Sequence, residues 1–294
     1  VAARVTAPTL AAMGLRFDVV DVFTDRPYAG NPLAVVRSED RELDTEAMQR
    51  IAGEFHLSET VFTLPSEVAD YRVRIFTPAV ELPFAGHPSV GAAWVLARDG
   101  AIAHGDVVQE CGAGLLPVHV DADGARVAGG RPEVGDDVDA PLLAAAVGLT
   151  ADDVDGAAAP GIAAAGVPYA FLLVRPDAVA RCAPDPHAIT ALGLTGVLVA
   201  SWEDGHAHAR MFGAGVGVDE DPATGSAAVA LGVFLADRGL LDDGDTAFTV
   251  SQGAEIGRPS TLHVTVASTD GRATATTVRG GVVAVSRGEL TALP

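Results

Sequence analysis

The stretch ELPFAGHPSVGAAWVLARDG at residues 81–100 returns, altered, as EDPATGSAAVALGVFLADRG at residues 220–239. Laid together without gaps, the two share Glu81/Glu220, Pro83/Pro222, Gly86/Gly225, Val90/Val229, Leu96/Leu235, Ala97/Ala236 and Gly100/Gly239, at a constant offset of 139 residues. Just upstream, Arg74-Ile75-Phe76 is answered by Arg210-Met211-Phe212. Two matches in the same order indicate a duplicated unit, and the period is far too long for a solenoid. A chain of 294 residues has room for two such units, each with its own core.

Each copy carries one helix without a polar face: Val90–Ala97 in the first and Ala227–Ala236 in the second. A helix apolar all round must be buried on every side. Around these helices the sequence reads as short strands, from the alternating Leu15–Phe23 to TVFTL, YRVRIF, YAFLLV, HAHARMF, AFTVSQG, RATATTV and GVVAVS. Residues Asp44–Phe55 have helical spacing, and Asp123-Gly124 marks a hairpin turn. PEVGDDVDAP, acidic and bounded by proline, reads as a linker. The expected class is therefore α+β: two pseudo-symmetric domains, each an antiparallel barrel or sheet wrapped around a central α-helix.

The helix starts, AGHPS and ATGSA, both contain glycine. A helix N-terminus presents unpaired amides and a partial positive charge, so two such ends facing one cleft form an anion site. A small carboxylate fits it. Composition removes other partners. A net charge of −20 repels nucleic acid and anionic membranes. All 19 basic residues are arginine, which excludes a Schiff-base lysine and a Walker-type phosphate loop. Two cysteines, Cys111 and Cys182, do not make a disulfide scaffold. The N-terminus lacks the pattern of a signal peptide, with Met13 near the expected natural start, and no apolar run reaches a membrane span. A cytoplasmic protein is expected.

The segments VFTDRPYAGNPLAVV, HLSETVF, RIFTPAVELPFAGHPSVGAAWVL, EDPATGSAAVALGVFL, QGAEIGRPS and RGGVVAVSRGEL resemble the PhzF-like phenazine-biosynthesis isomerase family, of diaminopimelate epimerase fold, from about Phe17 to Leu290. The resemblance implies a site between two domains, a homodimer and no cofactor. It implies a first domain over 16–128 completed by 279–294, a second over 129–278, and an extension at 1–15. It assigns proton transfer to Glu59, with His87 and Asp221 as catalytic neighbours, and substrate binding to Ser58, Gly86, Thr224, Gly225 and Ser226. A carboxyl group that takes and returns a proton needs a raised pKa, which an apolar cleft supplies.

Epimerases of this fold use two cysteines, whose places fall near Ala85 and Thr224, so a two-thiol racemase is not expected. Cys111 in ECGAG is read as structural. GAGVG lacks the spacing of a dinucleotide-binding loop. His206 and His208 alternate without a third ligand, so no metal is expected. The main reading is a cofactor-independent isomerase moving a proton within a small carboxylate-bearing metabolite. Its alternatives are an amino-acid epimerase or racemase of the same fold, and an inactive metabolite-binding protein.

Overall fold

A computed structural model describes residues 14–294, apart from the side chain of Val216; residues 1–13, most of the extension expected from the sequence, lie outside it. The first half runs β1 (Leu15–Val22), β2 (Asn31–Arg37), α1 (Thr45–Phe55), β3 (Glu59–Leu64), β4 (Tyr71–Phe76), β5 (Glu81–Leu82), α2 (Gly86–Arg98), β6 (Gly105–Cys111), β7 (Gly114–Val120) and β8 (Gly124–Ala128). The second runs β9 (Pro132–Asp137), α3 (Ala140–Ala146), β10 (Gly161–Ala165), β11 (Pro168–Leu173), α4 (Pro176–Val179), α5 (Pro186–Ala191), β12 (Val197–Glu203), β13 (His206–Gly213), β14 (Val218–Asp221), α6 (Gly225–Asp237), β15 (Gly244–Gln252), β16 (Ser260–Thr269) and β17 (Arg272–Leu290).

Strand pairing closes a ring in the first half: β1, β2, β3, β4, β6, β7, β8 and back through β17 to β1. The second half repeats the plan with β9, β10, β11, β12, β13, β15, β16 and β17. Most ladders are antiparallel, but β2–β3, β4–β6, β11–β12 and β13–β15 run parallel. Parallel neighbours need a crossover, and this is where the helices sit: α1 joins β2 to β3, while α2 and α6 carry the chain to β6 and β15.

Two sequence expectations are corrected here. PEVGDD is no linker; it is β9, paired with β10 from Pro132↔Ala165 to Asp137↔Gly161. The strands expected at RATATTV and GVVAVS are one strand, β17, that runs straight through Gly280-Gly281. Its first part pairs with β16, its middle with β8 (Thr277↔Ala128 to Gly281↔Gly124) and its last part with β1 (Val22↔Val282 to Leu15↔Leu290). Thus β8 leaves the first barrel to become β9 of the second, and β17 makes the return journey. The first barrel thus takes its eighth strand, β17, from the second half.

The helices α2 and α6 thread the two barrels. From Gly86 to Ala97 only Trp94 escapes full burial, and Ala227 to Ala236 are all buried. Glycine sets how closely the strands approach. A Cβ on Gly91 would stand 2.5 Å from Leu33, and one on Gly232 would stand 2.5 Å from Val266, well inside contact distance.

The duplication reaches side-chain detail. Arg74 grips Glu81 through two hydrogen bonds of 2.7 and 2.6 Å, and Arg210 grips Glu220 through two of 2.9 and 2.7 Å. Each bidentate pair ties a barrel strand to the segment that leads into the central helix. The ladders extend the correspondence: Ala29-Gly30-Asn31-Pro32 answers Ala165-Gly166-Val167-Pro168 at the entry to β2 and β11. Cys111-Gly112-Ala113 answers Gln252-Gly253-Ala254 at the exit of β6 and β15. In both copies the glycine packs on the matching proline, Gly112 on Pro83 and Gly253 on Pro222.

Candidate active site

The two helix N-termini meet. The position of a Cβ on Gly86 lies 3.5 Å from the Gly225 Cα and 3.6 Å from the Ser226 nitrogen. The i→i−4 bonds start with Ser89 N–H donating to Ala85 and Ala228 N–H donating to Thr224. The amides of Gly86, His87, Gly225 and Ser226 therefore precede the first helical acceptors and are available at the junction. Both dipoles point their positive ends there. The geometry is the one expected for an anion site.

Glu59 begins β3, and His87 lies in the first turn of α2. Glu59 Oε2 and His87 Nε2 stand 3.4 Å apart, with the side chains 18% and 6% exposed. Both atoms are sealed from solvent without a hydrogen-bond partner among the described residues. Burial, and then the negative charge of Asp221, push the Glu59 carboxyl up to about 8. Burial pushes His87 down to about 3, so its imidazole is neutral.

Asp221 ends β14 across the junction. Burial raises it to about 6, against the hydrogen bonds from Thr224 and Asn31 that favour its charged form. The hydrogen-bond directions follow from donor counts. The Asn31 amide nitrogen donates to Asp221 Oδ1 at 2.9 Å and to the Ala223 carbonyl at 3.0 Å, while its oxygen accepts from the Ser58 hydroxyl at 3.1 Å. Gln252 donates to Thr224 Oγ1 at 3.2 Å, so the single Thr224 proton goes to Asp221 Oδ2. The Gln252 amide also donates to the Asp221 carbonyl at 2.7 Å. Asp221 is thus held on both oxygens. Ser226 shares a 2.9 Å hydrogen bond with Tyr169 on β11. The Tyr169 phenol is raised to about 12 by burial and by the nearby charges of Asp221 and Glu59.

The structure brings Glu59, His87, Asp221, Ser58, Gly86, Thr224, Gly225 and Ser226 to one junction. The Thr224 hydroxyl is turned to Asp221 and stabilises that carboxylate. Three members were missed from sequence: Asn31 inside an apparent turn, and Tyr169 and Gln252 inside strands. Gln252 left a trace, since QGA answers CGA in the repeat. The decoys fall elsewhere. His206 bonds Ser251 and His208 pairs with Glu255; no group of three or more metal-ligating side chains occurs among the described residues. Cys111 closes β6 with its thiol on the Gly114 carbonyl. No helix among the described residues is long and apolar enough to cross a membrane.

The chain is similar to known proteins over most of its length. The chain is 36% identical to trans-2,3-dihydro-3-hydroxyanthranilate isomerase of Pseudomonas aeruginosa, over 93% of this chain and 98% of that one. It is 35% identical to an uncharacterized isomerase of Mesorhizobium japonicum, over 92% and 96%. A crystal structure of a PhzF-family phenazine biosynthesis protein from Bacillus anthracis superposes with a TM-score of 0.84 at 27% identity, covering 94% of this chain and 98% of that one. The phenazine biosynthesis-like protein family matches residues 20–288. With that match and isomerases as its relatives, the chain belongs to the PhzF-type, phenazine biosynthesis-like family.

Proposed function

We propose that the chain is a cofactor-independent isomerase that moves a proton between carbons of a small carboxylate-bearing metabolite, with Glu59 as its acid/base. The observation that carries this reading is the facing pair of unpartnered, buried atoms, Glu59 Oε2 and His87 Nε2. An unpaired buried polar group is costly; a substrate that hydrogen-bonds to both atoms satisfies both. The amides at Gly86, Gly225 and Ser226 anchor the substrate carboxylate. Asp221, an acceptor on both oxygens, receives an amino or hydroxyl donor of the substrate. Glu59, with a pKa of about 8, exchanges protons with carbon in either direction near neutral pH.

The duplication favours one acid over two. The β2–β3 register places Glu59 beside Leu33, and the β11–β12 register places Gly196 at the matching position. The second copy therefore offers no carboxylate there. The two helix N-caps, Ala85 and Thr224, offer no thiols, which counts against a two-thiol racemase. The compound named for the P. aeruginosa relative carries a carboxylate, an amino and a hydroxyl group, and is the first substrate to try. Glu59→Gln keeps the shape and loses the proton. Turnover should fall by at least about 10²-fold while binding persists, and the wild-type product formed in deuterium oxide should carry deuterium at the migrating position. Full activity in the variant would sink the assignment.

A further inference from the structure

The pseudo-two-fold that relates the barrels also relates the two sides of the junction, and these differ in chemistry. On one side stand Asn31, Asp221, Thr224 and Gln252, joined by hydrogen bonds. Their counterparts by the repeat and the ladder registers are Val167, Leu82, Ala85 and Cys111. Every polar group of the first side is replaced by an apolar one, or by a thiol bound to its own turn. Each side also borders a cavity. The polar one, 710 Å³, includes Gln252, the residue that bonds Thr224 and the Asp221 carbonyl, together with Arg26, His263 and Arg279. The other, 390 Å³, is lined by Phe84, Cys111, Leu116 and Val167 among others. Glu59 and His87 line neither.

Two short segments join the lining of the apolar cavity to the junction. Phe84 precedes the Ala85 N-cap of α2, three residues before His87. Val167 is two residues before Tyr169, whose hydroxyl bonds Ser226. Phe84, Leu116 and Val167 are partly exposed and packed on the main core. A volume of 390 Å³ lies in the range of small-molecule sites.

We propose that the site takes its substrate in one orientation, with the donor groups toward Asn31 and Asp221 and an apolar substituent in the cavity lined by Phe84, Cys111, Leu116 and Val167. The substrate class is a carboxylate that is amphipathic across the carboxylate axis. The inference rests on the carboxylate anchor proposed above and adds the opposite pole. The reversed pose is disfavoured twice over, since it leaves Asp221 against hydrocarbon and sets a donor against Val167 without an acceptor. A second copy of the chain is the competing occupant of the cavity. The chain adjacency of Phe84 to the α2 start and of Val167 to Tyr169 favours the substrate.

The test is calorimetric binding of acetate, butyrate and hexanoate to the full chain, with the oligomeric state followed by sedimentation. Affinity should rise about fourfold per added methylene, the value of burying one in an apolar site. Val167→Asn should flatten the series while leaving acetate unchanged. Phe84→Ser should do the same, as a second variant in case the first fails to fold. Acetate binding with no rise along the series, or a rise that survives both substitutions, overturns the apolar pole and leaves the anchor standing. A change of oligomeric state in the variants without a change in the series assigns the cavity to a subunit contact and also overturns the proposal. No binding by any of the three acids removes the anchor and this inference together. Proton transfer by Glu59 is judged separately, from turnover.

Discussion

Replacing Glu59 by glutamine should stabilise the fold at alkaline pH, and the size of the effect follows from its surroundings. Below about pH 4.5, the ordinary value of this carboxyl, Glu59 is protonated whether the chain is folded or not, and its pKa makes no difference. Between 4.5 and about 8 the unfolded chain releases the proton and the folded chain keeps it. The unfolded state then binds fewer protons, so wild-type stability falls as pH rises through this window and levels off above it. At about 1.36 kcal/mol per pKa unit the full displacement bounds the cost at roughly 5 kcal/mol, and a measured deficit of about 2–5 kcal/mol is expected. Glutamine carries no charge and escapes it. Asp221 and His87 titrate in both proteins, so the difference between them isolates Glu59. The assay is urea unfolding of wild type and Glu59→Gln from pH 5 to pH 9. With a slope of about 3 kcal/mol/M, the midpoint of the variant should move ahead by about 1 M across the series. Parallel curves at all pH values would refute the reasoning, because they would mean that Glu59 ionises in the fold as easily as in water.

The repeated ion pairs should differ in weight. Arg210 and Glu220 are 9% and 12% exposed, so Arg210→Met should cost about 3 kcal/mol by leaving a buried carboxylate without its partner. The exposed Arg74–Glu81 pair should cost under about 1 kcal/mol when cut the same way, and equal losses in urea midpoints would count against this contrast. Gly280→Ala should destabilise by about 1–3 kcal/mol through overpacking, since the new methyl would sit 2.0 Å from the buried Phe23 ring. That ring also lies against Gly225, so a drop in turnover should accompany the lower midpoint.

The architecture was legible because its constraint is compositional. Two helices with no polar face can only be enclosed, and a matched pair of Gly-bearing starts points to a shared anion site. The polar partners of Asp221 were hidden because their role depends on contacts across the junction. Asn31 lies 190 residues from Asp221 in sequence, and nothing in the local pattern AGNP distinguishes a ligand-side amide from a turn residue. Tyr169 sits in a strand buried along nearly its whole length, so its burial is ordinary there and its hydroxyl contact with Ser226 added no local signal. Gly280-Gly281 read as a break between strands because glycine normally marks turns. In the fold it marks a crossing, where β17 passes the Phe23 ring and Gly124 too closely for side chains. The acidic run at β9 reads as solvent-facing linker for a sound reason: five of its six residues are exposed. What makes it a strand is the neighbour β10, which local sequence cannot reveal.

The strand that the second half lends to the first fixes the order in which this chain can be completed. Leu15 opens the first barrel and Leu290 closes it, so almost the whole polypeptide must leave the ribosome before the first half has a full set of strands. A duplicated protein whose copies stood side by side would let the first fold during synthesis of the second. Here the early half waits with an open edge at β1 and a missing wall beside α2. Long-range closure of this kind is slow, and exposed strand edges invite pairing with other chains. The last strand made is thus the one on which both barrels depend, and a chain stopped short of β17 has no complete half to fall back on.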